Sequence, residues 1–303
     1  MSRTIWLIMK KTTYLIIALS IIVLTLVQCR VIWLPPKIYI PDKVIVLNPP
    51  VMTLREYTTS GLINTHARPY IYQITNSTNG GAVYVFGAAH SKDPKHPQVA
   101  MMDSIWDLFN PTTAMLEGRL GYLITWLHNP IEKKGESGFT ARKAKKKGIE
   151  LFTWEPGREN EINELIHKGY HPKLVAAFFS LGVHNNNWKN FSAENQNKEM
   201  MNAIDSKTKK YSSLKGLITS VNEIDSIWKA ECPNIPSWRS YKHPKNGWPS
   251  GKLEDISELT SYIRDEHLCR SIIDLVRKGQ RVFVTMGASH AVTIERTLKA
   301  MIQ

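Results

Sequence analysis

Four short apolar runs, separated by stretches with helical spacing, constrain the fold of this chain more than any other feature. The runs lie at Ala82–Phe86, Thr113–Leu116, Ile149–Trp154 and Arg281–Met286. Each contains β-branched or aromatic residues and has the length of a strand. Strands that are apolar almost throughout and that alternate with helices favour a layered fold with a largely parallel sheet. We therefore expect an α/β fold, bordering on α+β, in which helices flank a mostly parallel central sheet.

Apolar residues recur with helical spacing between and after these runs. The helices predicted on this basis are Gln98–Phe109, Ser137–Lys147, Glu159–Lys168, Leu174–Leu181 and Ile256–Lys278. The polar middle of the chain, from Asn185 to Lys252, is less legible. Within it we predict helices at Ala193–Asp205 and Leu214–Lys229, followed by loops around Pro233, Pro236, Pro244 and Pro249.

The N-terminal 30 residues contain four basic residues and no acidic one. The segment Tyr14–Val27 is apolar except for Ser20 and Thr25. These 14 positions fall short of the roughly 20 that span a bilayer as a helix, and they resemble the core of a secretory signal. An uncleaved signal anchor, extended by the apolar residues 6–8, is the alternative. Either way, we expect an exported protein of the cell envelope, attached to the membrane through residues 1–29 or released from it.

Cys29 follows the apolar segment at the position where a bacterial lipoprotein signal has its lipidated cysteine. Lipidation of Cys29 is therefore a hypothesis, although Gln28 is larger than the residue that usually precedes such a cysteine. The other two cysteines, Cys232 and Cys269, are permitted but not required to pair in an oxidising compartment. Five prolines between residues 31 and 50 predict an extended spacer over residues 30–69, with the folded domain at 70–303.

Composition excludes two classes of protein and indicates what the chain binds. With 43% hydrophobic and 21% charged residues it is neither a disordered chain nor a polytopic membrane protein. Its net charge of +13 favours anionic partners. The basic cluster between Arg142 and Lys147 contains no aromatic residue, so we interpret it as a solvated helix face near a C-terminus and expect no nucleic-acid partner.

A repeated turn is the sharpest functional signal. The runs ending at residues 86 and 286 each continue into Gly-Ala-x-His, with the histidines at His90 and His290. Each strand is expected to reach the sheet edge, where Gly87 or Gly287 permits a tight turn and the histidine begins a helix. For either histidine alone, a capping or core role is the default explanation. The matched pair indicates a functional site.

Two further strands end in carboxylates at the same predicted edge: Glu117 follows one and Glu155 the other. A ligand set of two histidines and a carboxylate suits a divalent transition metal and leaves positions for water and substrate. We therefore predict a metal site formed by His90, His290 and Glu117. An ion pair between Glu117 and Arg119, and a surface position for Glu155, are the structural alternatives.

These motifs resemble the TraB/TIKI/GumN family, within a wider group that includes erythromycin esterase and ChaN-type haem-binding lipoproteins. The similarity covers about Ala82 to Leu298, and its anchors, in chain order, are Gly87-x-x-His90, Glu117 with Arg119, Arg264 in the last long helix, and Gly287-x-x-His290. The resemblance implies two related α/β halves that bring both Gly-x-x-His turns together, with an acid and an arginine between them. For the TIKI branch it also implies metal-dependent proteolysis.

The sequence therefore leaves three functions open. The first is a metal-dependent hydrolase, a peptidase or an esterase, in which His90, His290 and Glu117 form the site. Arg119 and Arg264 would neutralise a substrate carboxylate or a developing oxyanion, and Glu155 would contact substrate. The second is a lipoprotein that binds haem or metal without catalysis, because two facing histidines can also ligate haem iron. The third is an inactive surface or partner-binding lipoprotein that keeps the fold for structure.

Overall fold

The computed structural model describes residues 3–29, 31–182, 192–241 and 247–303. The described helices are α1 Arg3–Gln28, α2 Leu54–Thr59, α3 Leu62–Thr65, α4 Pro97–Phe109, α5 Pro130–Lys147, α6 Arg158–His167, α7 Pro172–Leu181, α8 Ala193–Thr208, α9 Val221–Glu231, α10 Lys252–Arg277 and α11 Ala288–Ile302. The described strands are β1 Ile32–Trp33, β2 Lys37–Ile38, β3 Tyr70–Thr75, β4 Ala82–Ala88, β5 Thr113–Leu116, β6 Leu123–Ile124, β7 Glu150–Thr153 and β8 Arg281–Gly287.

Six strands form one mixed sheet in the order β2-β7-β5-β8-β4-β3. All neighbouring strands are parallel except β3, which runs antiparallel to β4 at one edge. The central strands are buried almost throughout, as expected for a parallel sheet covered on both faces. The expected α/β fold with a mostly parallel sheet and flanking helices is therefore confirmed.

The chain divides into two compact units. The sheet unit comprises Met1–Pro49, Asn64–Glu155 and Cys269–Gln303, and the helical unit comprises Pro50–Ile63 and Pro156–Leu268. In the sheet unit, Trp106 of α4 and Phe139 of α5 pack with Phe86 and Phe283 of the sheet. The described part of the helical unit contains no strand and has its own apolar core. Both Gly-x-x-His turns belong to the sheet unit, so the two units do not carry one turn each.

Local chemistry explains where the helices around the sheet begin and end. The side chains of His96 and Asn129 cap α4 and α5, and each helix has proline in its first turn, where a missing N–H costs nothing. Gly148 ends α5 in the left-handed conformation that glycine adopts without strain. In the helical unit, the helix predicted at Leu214–Lys229 begins seven residues later than expected, because α9 starts at Val221 and a short 3-10 turn ends at Leu214.

The proline-rich segment differs from the extended spacer predicted for residues 30–69. Strand β1 pairs with β6, and β2 adds an edge to the six-stranded sheet. The side chains of Trp33, Tyr39 and Ile45 are buried in the sheet unit. The prolines exclude a helix but still permit short edge strands, and the apolar residues between them supply the packing.

The predicted start of the polar middle at Asn185 and the predicted loop around Pro244 lie outside the described residues.

Helix α1 is apolar on all sides along its described side chains, and nine of its large residues between Tyr14 and Leu24 are exposed. No helix in the described part of the chain combines the length and apolarity needed to cross a membrane.

Candidate functional site

The two Gly-x-x-His turns lie side by side because β4 and β8 are neighbouring parallel strands. Their register pairs Gly87 with Met286 and Ala88 with Gly287. Both strands therefore end at the same edge of the sheet, where ligands bind in open α/β folds. This juxtaposition is the one that the repeated motif predicts.

The glycines provide space for close packing, which differs from the turn-forming role expected of them. A Cβ atom at Gly87 would lie 2.7 Å from the Cβ of Ala291 and 2.9 Å from the Cα of Ala288, so glycine lets α11 approach β4. A Cβ atom at Gly287 would lie 2.7 Å from Nε2 of His90. The φ angle of Gly287 is −64°, which any residue can adopt. Steric room, and not backbone conformation, requires glycine at these positions.

The backbone of His90 has a φ angle of +43°, in the left-handed region that residues other than glycine rarely adopt. The preceding N–H, that of Ala89, donates a hydrogen bond of 3.1 Å to Oε1 of Gln98, a buried residue of α4. Strained backbone that its surroundings hold in place is concentrated at functional sites. The turn therefore presents the His90 ring at the sheet edge in a fixed direction.

Glu136 is the partner of His90. Oε1 of Glu136 lies 2.6 Å from Nδ1 of His90, and the Glu136 side chain is 8% exposed whereas that of His90 is 64% exposed. The hydrogen bond to Glu136 raises the pKa of His90 above its ordinary value, and this effect outweighs the opposing effect of burial. The charges of Glu136 and Glu117 act in the same direction.

A kink in α5 directs Glu136 toward the site. Gly135 interrupts the helix with φ 54° and ψ −135°, a conformation that strongly favours glycine. A Cβ atom there would also lie 2.8 Å from the carbonyl oxygen of Ser91. The kink therefore brings α5 against the backbone that follows His90, and Glu136 is the next residue along the chain.

Glu117 lies directly after β5 and contacts the second turn. Its Oε2 accepts a hydrogen bond of 2.8 Å from the backbone N–H of Gly287. Its own carbonyl oxygen accepts a hydrogen bond of 2.9 Å from the hydroxyl of Ser137, the residue after Glu136. Both the carboxylate and the backbone of Glu117 are thus held by elements that also carry the rest of the site.

His290 lies in the first turn of α11, and its side chain is largely buried. Its Nε2 is 3.8 Å from Oε1 of Glu117. The indole of Trp154 meets the imidazole edge to face, with ring centroids 5.3 Å apart, and is itself fixed by a hydrogen bond from Nε1 to the carbonyl oxygen of Thr285. His290 therefore lies on the Glu117 side of the site and packs against the indole of Trp154.

One group of side chains in the described part of the sequence has the geometry to hold a metal ion. It consists of His90, Glu117 and Glu136, whose potential ligand atoms all lie within 4.8 Å of one another. The sequence predicted His90 and Glu117 together with His290. In the structure Glu136 takes the third position of the group, and His290 stands beside Glu117.

The remaining predicted residues are not part of this group of potential ligands. Arg119 is exposed on the segment after Glu117, and Glu155 is half-buried after β7, where its N–H donates to the hydroxyl of Thr153. Arg264 belongs to the helical unit. Cys29 is exposed, and both Cys232 and Cys269 are buried free thiols, so the permitted disulfide does not form.

Glu136 is the residue that sequence reasoning missed, because the predicted helix began one position later, at Ser137. Its signal was the isolated acid in the sequence Lys-Gly-Glu-Ser-Gly at residues 134–138, where two glycines flank a carboxylate.

Compared with protein-family models, curated proteins and solved structures, the chain matches none of them.

Proposed function

We propose that this protein is an exported, metal-dependent hydrolase of the TraB/TIKI/GumN type, acting on a peptide or ester bond. The observation that carries the proposal is the group of His90, Glu117 and Glu136 at the carboxyl edge of the parallel sheet. Export is supported by the acid-free, apolar N-terminal segment, which would attach the protein to the outer face of a membrane.

The donor set fits a divalent first-row transition metal. One imidazole and two carboxylates are the ligand types that such ions accept while keeping positions for water and substrate. The two donor atoms also lie near each other beside Gly287, because the position of a Cβ atom added there would be 2.7 Å from Nε2 of His90 and 3.8 Å from Oε2 of Glu117. When bound, the metal would polarise a carbonyl group and acidify a water molecule.

The protein groups around the ligands have distinct tasks in this proposal. Besides being a potential ligand, Glu136 orients the His90 ring through the hydrogen bond between its Oε1 and Nδ1, which leaves Nε2 facing Gly287. The N–H of Gly287 orients Glu117. His290 would carry a proton at Nε2 between the attacking water and the leaving group, as a general base and then a general acid. Arg119, Arg264 and Glu155 remain predicted substrate contacts.

Haem binding without catalysis is the alternative function. The two carboxylates beside His90 favour the metal ion, because haem iron is ligated by a histidine, cysteine, methionine or tyrosine side chain. Only His90 and His290 would serve a haem, and the buried Glu136 paired with Nδ1 of His90 would then have only an orienting role.

The test uses the purified full chain supplied separately with Mn²⁺, Co²⁺ and Zn²⁺, and screened against peptide and ester libraries. We expect hydrolysis with at least one metal, its loss in His90→Ala, and its loss in His290→Ala with the metal still bound. An absorption spectrum with a haem band, or no hydrolysis with any of the metals, would contradict the proposal. Glu132→Gln, an exposed acid at the start of α5, is the matched control.

A further inference from the structure

A pair of short strands joins the end of α1 to the loop that follows the candidate site. Ile32 and Trp33 of β1 pair antiparallel with Ile124 and Leu123 of β6. The N–H and hydroxyl of Thr125 both donate to the carbonyl oxygen of Val31, at 2.9 and 3.1 Å. We call residues 31–34 and 120–127 the β1–β6 ribbon. It begins three residues after α1 ends and three residues after Glu117.

One side of the β1–β6 ribbon is fixed to the sheet unit. Trp33, Leu120 and Leu123 are buried together with Leu116 of β5 and Ala141 of α5. The ammonium group of Lys145 in α5 lies 5.6 Å from the centre of the Trp33 ring. The ribbon is therefore anchored to the core, and side chains on its other side have a defined direction.

The ribbon also exposes large apolar side chains. Tyr122 is 76% exposed, Trp126 71%, Leu127 52% and Leu34 46%. Solvent exposure of one such residue is ordinary, but the concentration of four on one short ribbon is of the kind that marks an interaction site. Tyrosine and tryptophan are the residues enriched where a protein meets the interfacial region of a bilayer.

Two properties of the ribbon and α1 select a lipid surface as the partner. Between Tyr14 and Leu24, helix α1 exposes apolar residues on all sides, which lipid would cover completely, whereas a protein partner would cover one side. The stretches 29–41 and 118–131 contain no Asp or Glu, and they carry Lys37 and Arg119, both exposed. Apolar segments that contain basic and no acidic residues complement anionic lipid headgroups.

We propose that Tyr122, Trp126, Leu127 and Leu34 form a second membrane contact, which lays the sheet unit against the lipid surface next to α1. The inference rests on the membrane attachment through α1 that the proposed function includes. Because Glu117 immediately precedes this loop, the carboxyl edge of the sheet lies on the membrane side of the sheet unit. Substrates bound at or near the bilayer surface are then the class that reaches the site first.

The test measures the depth of a fluorophore in vesicles of phosphatidylcholine and phosphatidylglycerol that contain the full chain. Cys29→Ser removes the exposed native thiol, while Cys232 and Cys269 are buried. A nitrobenzoxadiazole label is attached at Leu127→Cys, which keeps both aromatic residues. Ile22→Cys reports on α1. Leu108→Cys, 86% exposed at the opposite end of β5 from the ribbon, is the control.

We expect lipids with a nitroxide near the headgroup to quench the labels at positions 127 and 22 severalfold more than the label at 108. Adding Tyr122→Ala and Trp126→Ala should reduce quenching at position 127 and leave that at position 22 unchanged. Quenching at 127 equal to that at 108, with position 22 still quenched, overturns this inference and retains the attachment through α1.

Two other outcomes also overturn the inference. If positions 22 and 127 are both unquenched by lipid, the membrane attachment in the proposed function fails as well. If the label at 127 is shielded from the lipid nitroxide and also from aqueous iodide, the patch is covered by another protein surface, such as a second copy of the chain.

Discussion

The carboxylate of Glu117 accepts a hydrogen bond of 2.8 Å from the backbone N–H of Gly287, although the two residues are 170 positions apart in the chain. This bond joins the residue after β5 to the last residue of the neighbouring strand β8, directly before α11 begins. It also brings the carboxylate to the same side of Gly287 as the His90 ring. The site therefore depends on the lateral packing of adjacent parallel strands, and small substitutions at the ends of these strands should disturb it.

Replacing Gly287 by alanine should disrupt the site. The added Cβ atom would lie 2.7 Å from Nε2 of His90, so the imidazole has to move. Because the His90 side chain is 64% exposed, its ring can move at little cost to stability, so we expect weaker metal binding with a small change in the free energy of unfolding, measured by metal titration and by urea denaturation. Gly182→Ala is the control, since its nearest atom would be 3.6 Å away. Equal metal affinity in Gly287→Ala and wild type would contradict the proposed role of this space.

Replacing Glu136 by glutamine should lower the pKa of His90. The hydrogen bond with the carboxylate raises this pKa in the native protein, because it favours the protonated ring, and a neutral amide does so less. The His90 ring resonances, followed by NMR against pH in metal-free protein, should titrate at lower pH in Glu136→Gln. An unchanged midpoint would show that Glu136 does not contact His90 in solution.

A charged network holds the N-terminal segment on α10 and should make stability depend on pH. Oδ2 of Asp274 accepts hydrogen bonds from the Tyr39 hydroxyl at 2.6 Å and the Lys278 ammonium at 2.7 Å. Burial alone would raise the pKa of Asp274, but the bonds from Lys278 and Tyr39 lower it overall. A carboxyl whose pKa is lowered by folding stabilises the protein above its unfolded pKa of about 3.9 and loses that contribution as the pH falls.

Asp274→Asn should therefore destabilise the protein by about 1–3 kcal/mol at neutral pH, the usual cost of removing one charged partner from a buried hydrogen-bonded group. The difference from wild type should shrink below pH about 4 as the wild-type carboxyl protonates. Urea denaturation at several pH values measures it. Asp103→Asn, at an exposed carboxylate paired with Lys143, should have a smaller effect. A difference that stays constant with pH would contradict the account.

Two arginines near the end of the chain should respond differently to replacement by lysine. Nε of Arg270 donates a hydrogen bond of 3.1 Å to the carbonyl oxygen of Ile45, so Arg270→Lys should affect stability and leave turnover unchanged. Arg264 is the residue that the family resemblance directs toward substrate. Arg264→Lys should reduce turnover by roughly 10²-fold with little change in KM, because lysine lacks the planar fork that stabilises a developing oxyanion. Equal losses in both variants would argue against this role.

Much of the sheet unit could be predicted because its central strands are short, apolar and bounded by clear turn signals. The run Thr113–Leu116 is observed with the predicted bounds. The strand predicted at Ala82–Phe86 continues two residues further, to Ala88. Strand β3 was not predicted as a strand, since its half-exposed residues at the antiparallel edge give a weaker pattern. Strands β1 and β2 contain two residues each, too few for any periodicity.

The site could be predicted in part, for a related reason. Residues that directly follow a strand, such as His90, Glu117 and the turn before His290, are located by the strand itself. Glu136 comes from the middle of a helix whose kink at Gly135 depends on contact with the backbone of Ser91, a tertiary interaction that no local pattern encodes. The sequence therefore identified the strand-end residues and missed the one that the helix supplies.

Metal content is the measurement that tests the account most directly. The full chain, purified after growth with Mn²⁺, Co²⁺ and Zn²⁺ supplied, would be analysed by inductively coupled plasma mass spectrometry beside His90→Ala, Glu117→Gln, Glu136→Gln and the control Glu132→Gln. We predict a stoichiometric divalent transition metal in wild type and in Glu132→Gln, and its loss from the other three variants while their circular dichroism spectra remain native. Wild-type protein without bound metal, or metal retained by all three site variants, would contradict the account.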